Sequence, residues 1–122
     1  MAIIKSFEDL EIWKLSMQQA AEVYKNFKDC KDFSFKDQIQ RAAVSVASNI
    51  AEGFERNTNK EFIQFLYIAK GSNGELITQL YLAVTFKYID TKKGKELIEK
   101  SKTLSAKIGK LINYRKKYNK EK

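Results

Sequence analysis

Hydrophobic and polar positions along the chain repeat with the three-to-four-residue period of an amphipathic helix. Apolar or small residues fall at Leu10, Trp13, Met17, Ala20, Tyr24 and Phe27, a 3-4-3-4-3 spacing that predicts a helix over about 7–28. Ser6-Phe-Glu-Asp9 opens it with a capping hydroxyl and with acids that complement the helix dipole. Lys28-Asp-Cys-Lys-Asp32 carries no periodicity and is a connection. Ser34-Phe-Lys-Asp37 opens a second helix, about 34–55, whose seam is Phe35, Ile39, Ala42, Val46, Ile50 and Gly53. Ala43, Ser45, Ala47, Ser48 and Ala51 make it thin, so its neighbours approach closely.

Thr58-Asn-Lys-Glu61 matches a capping box and opens a third helix over about 59–88. One of its stripes is Phe62, Leu66, Ala69, Leu76, Leu80 and Ala83. A second contains Phe65, Ile68, Leu82 and Phe86, with Tyr67, Ile77, Tyr81 and Val84 filling round. A bundle helix ordinarily buries a single stripe, so this one asks for cover on more sides. Gly71 and Gly74 inside it mark a close backbone contact or a kink. A Lys-rich fourth helix, about 91–118, has its seam at Leu97, Ser101, Leu104, Ile108 and Leu111. Four such helices with short turns predict an all-α fold, an antiparallel up-down-up-down four-helix bundle occupying the single domain 1–122. The surplus apolar surface of the third helix calls for more than one copy, because soluble monomers rarely leave such a patch uncovered.

Composition narrows the chemistry. The chain has no proline, in keeping with long helices and short connections. It has no histidine, which excludes His-based acid–base catalysis and His-containing metal sites. A single cysteine, Cys30, makes neither an internal disulfide nor a thiolate cluster, and it points to a reducing compartment. The start, Met1-Ala-Ile-Ile-Lys5, lacks the apolar core of a signal peptide, and no apolar run is long enough to span a membrane. The expected location is cytoplasmic. Net charge is +8, but residues 1–90 carry 11 Lys and Arg against 12 Asp and Glu, whereas residues 91–122 carry 12 against 3. The positive excess therefore lies in the last quarter of the chain and raises the case for a polyanionic partner.

The second and third helices read Arg41-Ala-Ala-Val-Ser45-Val-Ala-Ser48-Asn49-Ile-Ala-Glu52-Gly53-Phe54, then Glu61-Phe62-Ile-Gln-Phe65-Leu66, Ala69-Lys-Gly71-Ser72 and Glu75-Leu76-Ile-Thr-Gln79-Leu80. With Phe7-Glu-Asp9-Leu10 and Trp13, this resembles the "four helix bundle protein" family over about residues 5–118. Members of that family are often encoded within intervening sequences of bacterial 23S ribosomal RNA genes. The family is similar to the accessory variability determinant proteins of diversity-generating retroelements. The resemblance implies a ring-shaped homo-oligomer, typically a homopentamer, that binds nucleic acid and has no assigned enzymatic activity. It also admits a reverse transcriptase or ribonucleoprotein as partner. Asn73-Gly74 departs from the pattern and puts the straightness of the third helix in question.

Three constellations carry candidate chemistry. Ser45, Ser48, Asn49 and Glu52 lie on one side of the second helix, and Ser72, Glu75 and Gln79 repeat the spacing on the third. Glu52 and Glu75 facing each other would make a catalytic or metal-binding pair, with Arg41 and Arg56 as possible partners. Without histidine the stronger reading is an interhelical polar network that fixes register, with no catalytic residue, metal or cofactor. In the fourth helix, 100° per residue places Lys92, Lys95, Lys102, Lys110 and Lys117 opposite the apolar seam, with Lys100 and Lys107 widening that face. Arg115, Lys116, Lys120 and Lys122 extend it. A solvated lysine face is common; a phosphate-contacting stripe for RNA or DNA is the functional alternative. Lys outnumbers Arg there, which suits backbone contact with little sequence specificity. The competing reading is a structural or protein-interaction scaffold whose charge serves solubility. Tyr114 and Tyr118 stand among the basic residues as candidate stacking groups; Cys30 has no partner base and no assigned role.

Overall fold

The computed structural model describes residues 4–120. After a 3-10 turn at Phe7–Asp9 come four helices: α1 Glu11–Phe27, α2 Phe33–Phe54, α3 Asn59–Thr85 and α4 Thr91–Lys120. Each helix packs on the next and α4 closes back onto α1. Asn59 meets Arg115 while Tyr81 meets Lys102, and Glu11 meets Lys107 while Glu22 meets Lys93, so α4 runs antiparallel to both α3 and α1. The described residues contain no strand.

The capping signal at Ser6 closes the 3-10 turn rather than α1. The Asp9 carboxylate accepts the N–H groups of Lys5 and Ser6, then Leu10 is extended and α1 begins at Glu11. The buried face of α1 also differs from the expected seam. Ile12, Ser16, Gln19, Val23 and Phe27 face inward, while Met17 and Tyr24 are 46% and 48% exposed. Two polar residues displace two large apolar ones because they satisfy hydrogen bonds inside. Gln19 donates to the Leu97 carbonyl and the Ser101 hydroxyl, and Ser16 donates to the Trp13 carbonyl.

In α2 the expected seam is buried throughout. Its cap is Asp32, whose carboxylate accepts the Phe35 N–H, and Ser34 lies inside the first turn. At the start of α3 the Thr58 hydroxyl accepts the Glu61 N–H. The expected stripe from Phe62 to Ala83 is buried, and the second stripe faces out, with Ile68, Leu82 and Phe86 exposed. α3 stops at Thr85 rather than about 88 because Lys87 adopts φ 63°, which turns the chain without a glycine. Phe35, Phe86 and Tyr88 then pack edge to face, and the Tyr88 hydroxyl donates to the same Asp32 that caps α2. In α4, Ile112 is buried where Leu111 was expected, and Leu111 is half-buried.

Gly71 and Gly74 mark neither a kink nor a close approach. α3 runs unbroken past them, and a Cβ at either would meet only open space. The close approaches are at Gly53, where a Cβ would lie 2.5 Å from Cβ of Phe65, and at Gly94, against Val84.

The interior consists of two apolar clusters. One holds Val23, Phe27, Ile39, Leu76, Leu80 and Leu97, and the other holds Ile12, Val46, Ile50, Leu66, Leu104 and Ile108. Between them along α1, α3 and α4 sits a buried polar layer of Ser16, Gln19, Asn73 and Ser101. Asn73 is 0% exposed and donates to the Ser101 carbonyl at 2.7 Å. This layer explains the departure at Asn73: its amide replaces an apolar contact with a bond across to α4.

Candidate nucleic-acid interface

Residues with a 100° increment that are buried on one side of α4 leave a complementary face outward. Lys92, Lys95, Lys102, Lys110 and Lys117 all lie exposed on that face. Among the described residues none of the five takes part in an ion pair. Lys93, Lys100 and Lys107 do have acidic partners. Lys100 lies 3.5 Å from Glu96, and Lys107 reaches Glu11 on α1 at 3.1 Å, so Lys107 ties two helices together.

Arg115 does not belong to the outward stripe. Its guanidinium stacks 5.1 Å from the Phe62 ring and 5.7 Å from the Tyr118 ring, with Nε buried. Its carbonyl accepts from Asn59, which anchors the start of α3 to the end of α4. The side chains of Lys120 and Lys122, like the Met1–Ile3 stretch, lie outside the described residues. Lys93 also points toward the bundle: its ammonium sits 2.9 Å from Glu22 and 3.4 Å from Glu96. The hydrogen bond to Glu22 raises Lys93 above the ordinary lysine value and holds Glu22 below the ordinary carboxylate value.

On the α3 side the structure adds residues that periodicity had assigned to packing. Tyr67 and Tyr81 are each 48% exposed. Lys116 Nζ lies 4.9 Å from the Tyr67 ring centroid and Lys102 Nζ 5.5 Å from that of Tyr81. Hydrogen bonding to the Tyr81 phenol, with the charge of Glu99 farther off, holds Lys102 above the ordinary lysine value. A shallow groove of about 440 Å³ opens beside Tyr67, lined also by Lys70, Gly71, Gly109, Ile112 and Asn113. Only the helix register brings these groups together, so α3 read alone gives no signal for them. Tyr114 is 61% exposed on the same helix as the lysines, and Tyr118 packs against Arg115.

The polar residues of α2 and α3 are brought together only in part. The hydroxyls of Ser45 and Ser72 are 2.9 Å apart, and Asn49 donates to the Ser45 hydroxyl and carbonyl. Ser48, Glu52 and Glu75 are exposed and stand outside that network. Glu52 pairs with Arg56 at 3.0 Å, and Arg41 pairs with Asp37 at 2.8 Å. Gln79 is buried, but its Oε1 has no hydrogen-bond partner. Exposed carboxylates on the outer face of two helices do not form the enclosed pair that acid–base or metal chemistry requires. Among the described residues no group of three or more Cys, Asp or Glu is placed to hold a metal ion. The buried layer of Gln19, Asn73 and Ser101 is the interhelical network that the sequence pattern had missed.

These features define an antiparallel four-helix bundle with an exposed basic face on its last helix. The chain belongs to the 23S rRNA-intervening sequence protein family, whose model matches residues 8–110. Its fold is similar to the crystal structure of a protein of unknown function from the S23 ribosomal protein family of Bacteroides thetaiotaomicron. The two share 24% identity with a TM-score of 0.78, over 83% of this chain and 97% of that one. No curated protein matches the chain. No described helix is long and apolar enough to cross a membrane.

Proposed function

We propose that this protein is a non-enzymatic homo-oligomeric bundle that binds RNA or DNA through phosphate contacts from the outward face of α4. The observation that carries this reading is the five exposed lysines, Lys92, Lys95, Lys102, Lys110 and Lys117, which have no acidic partner among the described residues. Glu99 stands on the same face and Glu96 at its edge, but the five lysines outnumber them and leave the face net positive, as contact with a phosphate backbone requires. Ammonium groups act as point charges, so sequence specificity from this helix is low. The family's name associates it with 23S rRNA intervening sequences, in keeping with a nucleic-acid partner.

Self-association is supported by uncovered apolar side chains. Met17, Tyr24 and Val44 border a groove between α1 and α2, and on α3 Ile68 is exposed near the middle and Leu82 and Phe86 at the C-terminal end. A homopentameric ring, as the family resemblance implies, would gather several copies of the α4 face onto one polyanion. A reverse transcriptase or ribonucleoprotein partner would engage the same assembly.

Charge reversal tests the reading. Lys102→Glu, Lys110→Glu and Lys117→Glu together should abolish retention of RNA and duplex DNA in a filter-binding assay. The mass from light scattering and the helical circular dichroism should stay unchanged. Binding that survives the triple substitution would move the site off α4.

A further inference from the structure

The basic face has an aromatic margin whose geometry selects among nucleic acids. Tyr67 with Lys116 and Tyr81 with Lys102 are two copies of one arrangement, an exposed tyrosine ring under the ammonium of the neighbouring helix. The copies are in register. The tyrosines are fourteen residues apart on α3 (67 to 81), and the lysines are fourteen apart on α4 (102 to 116). At ~1.5 Å rise per residue the two units stand about 21 Å apart along the same side of α3 and α4. Next to Tyr67, Gly71 and Gly109 line a shallow groove with Lys70 as a further cation, and Gly74, farther along α3, faces open space.

Packing does not require this layout. Both rings are about half exposed, while the core beneath is filled by Leu66, Leu76, Leu80, Leu104 and Ile108. Two fully solvated lysines would spread away from the protein; here each is held beside a flat apolar ring. A ring with a cation beside it matches an unpaired nucleotide, whose base has a π-face and whose phosphate is anionic. A duplex hides its base faces in the stack and offers nothing for the rings to engage.

Building on the basic-face reading, we infer that the α3–α4 surface from Tyr67 to Tyr81 is a track for single-stranded nucleic acid. Tyr67 and Tyr81 stack bases at its two ends, and Lys70, Lys102 and Lys116 contact the phosphates. About 21 Å corresponds to roughly six nucleotides at the ~3.4 Å rise of a stacked strand. Base faces and phosphates are common to RNA and DNA, so single strands of either are ligands.

Fluorescence anisotropy with a labelled 12-nucleotide RNA, the same sequence as DNA, and the corresponding duplex tests the track at one low salt concentration. The expected result is that Tyr67→Ala with Tyr81→Ala weakens both single strands at least tenfold, because each substitution removes one stacked base. Duplex affinity should change less than twofold, and Tyr67→Phe with Tyr81→Phe should bind all three as the native protein does. Both tyrosines lie half outside the core, and a circular dichroism melt checks that the alanine variant stays folded. Single-strand affinity unchanged in the alanine variant would overturn the track while leaving the basic face in place if the duplex still binds. A loss confined to RNA or to DNA would overturn recognition by base faces. A native protein that binds none of the three probes would overturn the basic-face reading itself.

Discussion

Asp32 caps α2 through the Phe35 N–H and accepts the Tyr88 hydroxyl from the far end of the α3–α4 turn. Both hydrogen bonds favour the ionised form, so its carboxyl titrates below the ordinary value of 3.8. Glu22 is likewise held below its ordinary 4.5 by the Lys93 ammonium. A carboxylate depressed in the folded state contributes stability above its unfolded pKa and loses it as pH falls through the folded one. The expected outcome is a melting temperature flat across neutral pH that declines below about 4.5. Glu22→Gln with Asp32→Asn should lower the neutral plateau and make that acid-side decline shallower, as thermal melts between pH 7 and pH 3 will show. At this scale the sequence misleads wherever hydrogen bonding outweighs apolarity. Gln19 and Ser16 are polar and buried, whereas Met17 and Tyr24 are apolar and exposed, and no single-helix pattern reveals the Leu97 carbonyl and Ser101 hydroxyl that favour Gln19 inside.

Among the elements, α2 and α3 are the most legible because the apolar stripe read from each is buried as expected, broken in α3 only by the polar Asn73 and Gln79. Their ends were less so. α3 stops where Lys87 takes a left-handed conformation, which glycine would have announced and lysine does not. Glycines misled in the opposite direction. Gly74 lies in open space, so Gly74→Ala should stabilise the protein by up to about 1 kcal/mol through helix propensity alone. A methyl at Gly94 would collide with Val84, and the expected cost of Gly94→Ala is about 1–3 kcal/mol from overpacking. Urea unfolding of the two variants checks both signs. The outward lysines of α4 were legible from the 100° increment, because a helix that buries Leu97, Leu104 and Ile108 leaves no freedom about where Lys102 and Lys110 point. The pairing of those lysines with Tyr67 and Tyr81 was not, since it depends on the antiparallel register of α3 against α4.

For the whole molecule, charge and fold divide the work between separate parts of the chain. Three helices with near-neutral balance supply the bundle, and the segment from Thr91 onward completes it while carrying the whole of the net positive charge. Long-range attraction of a polyanion follows from that asymmetry, and oligomerisation would multiply it without new contacts within a protomer. The most direct test is the salt dependence of RNA binding by the intact protein, measured by anisotropy from about 50 to 200 mM salt. Three to five neutralised phosphates, at ~0.7–0.9 each, should give a log–log slope of about −2 to −4.5. Absence of binding at the lowest salt, or an affinity that does not change with salt, would contradict an α4 face built for phosphates.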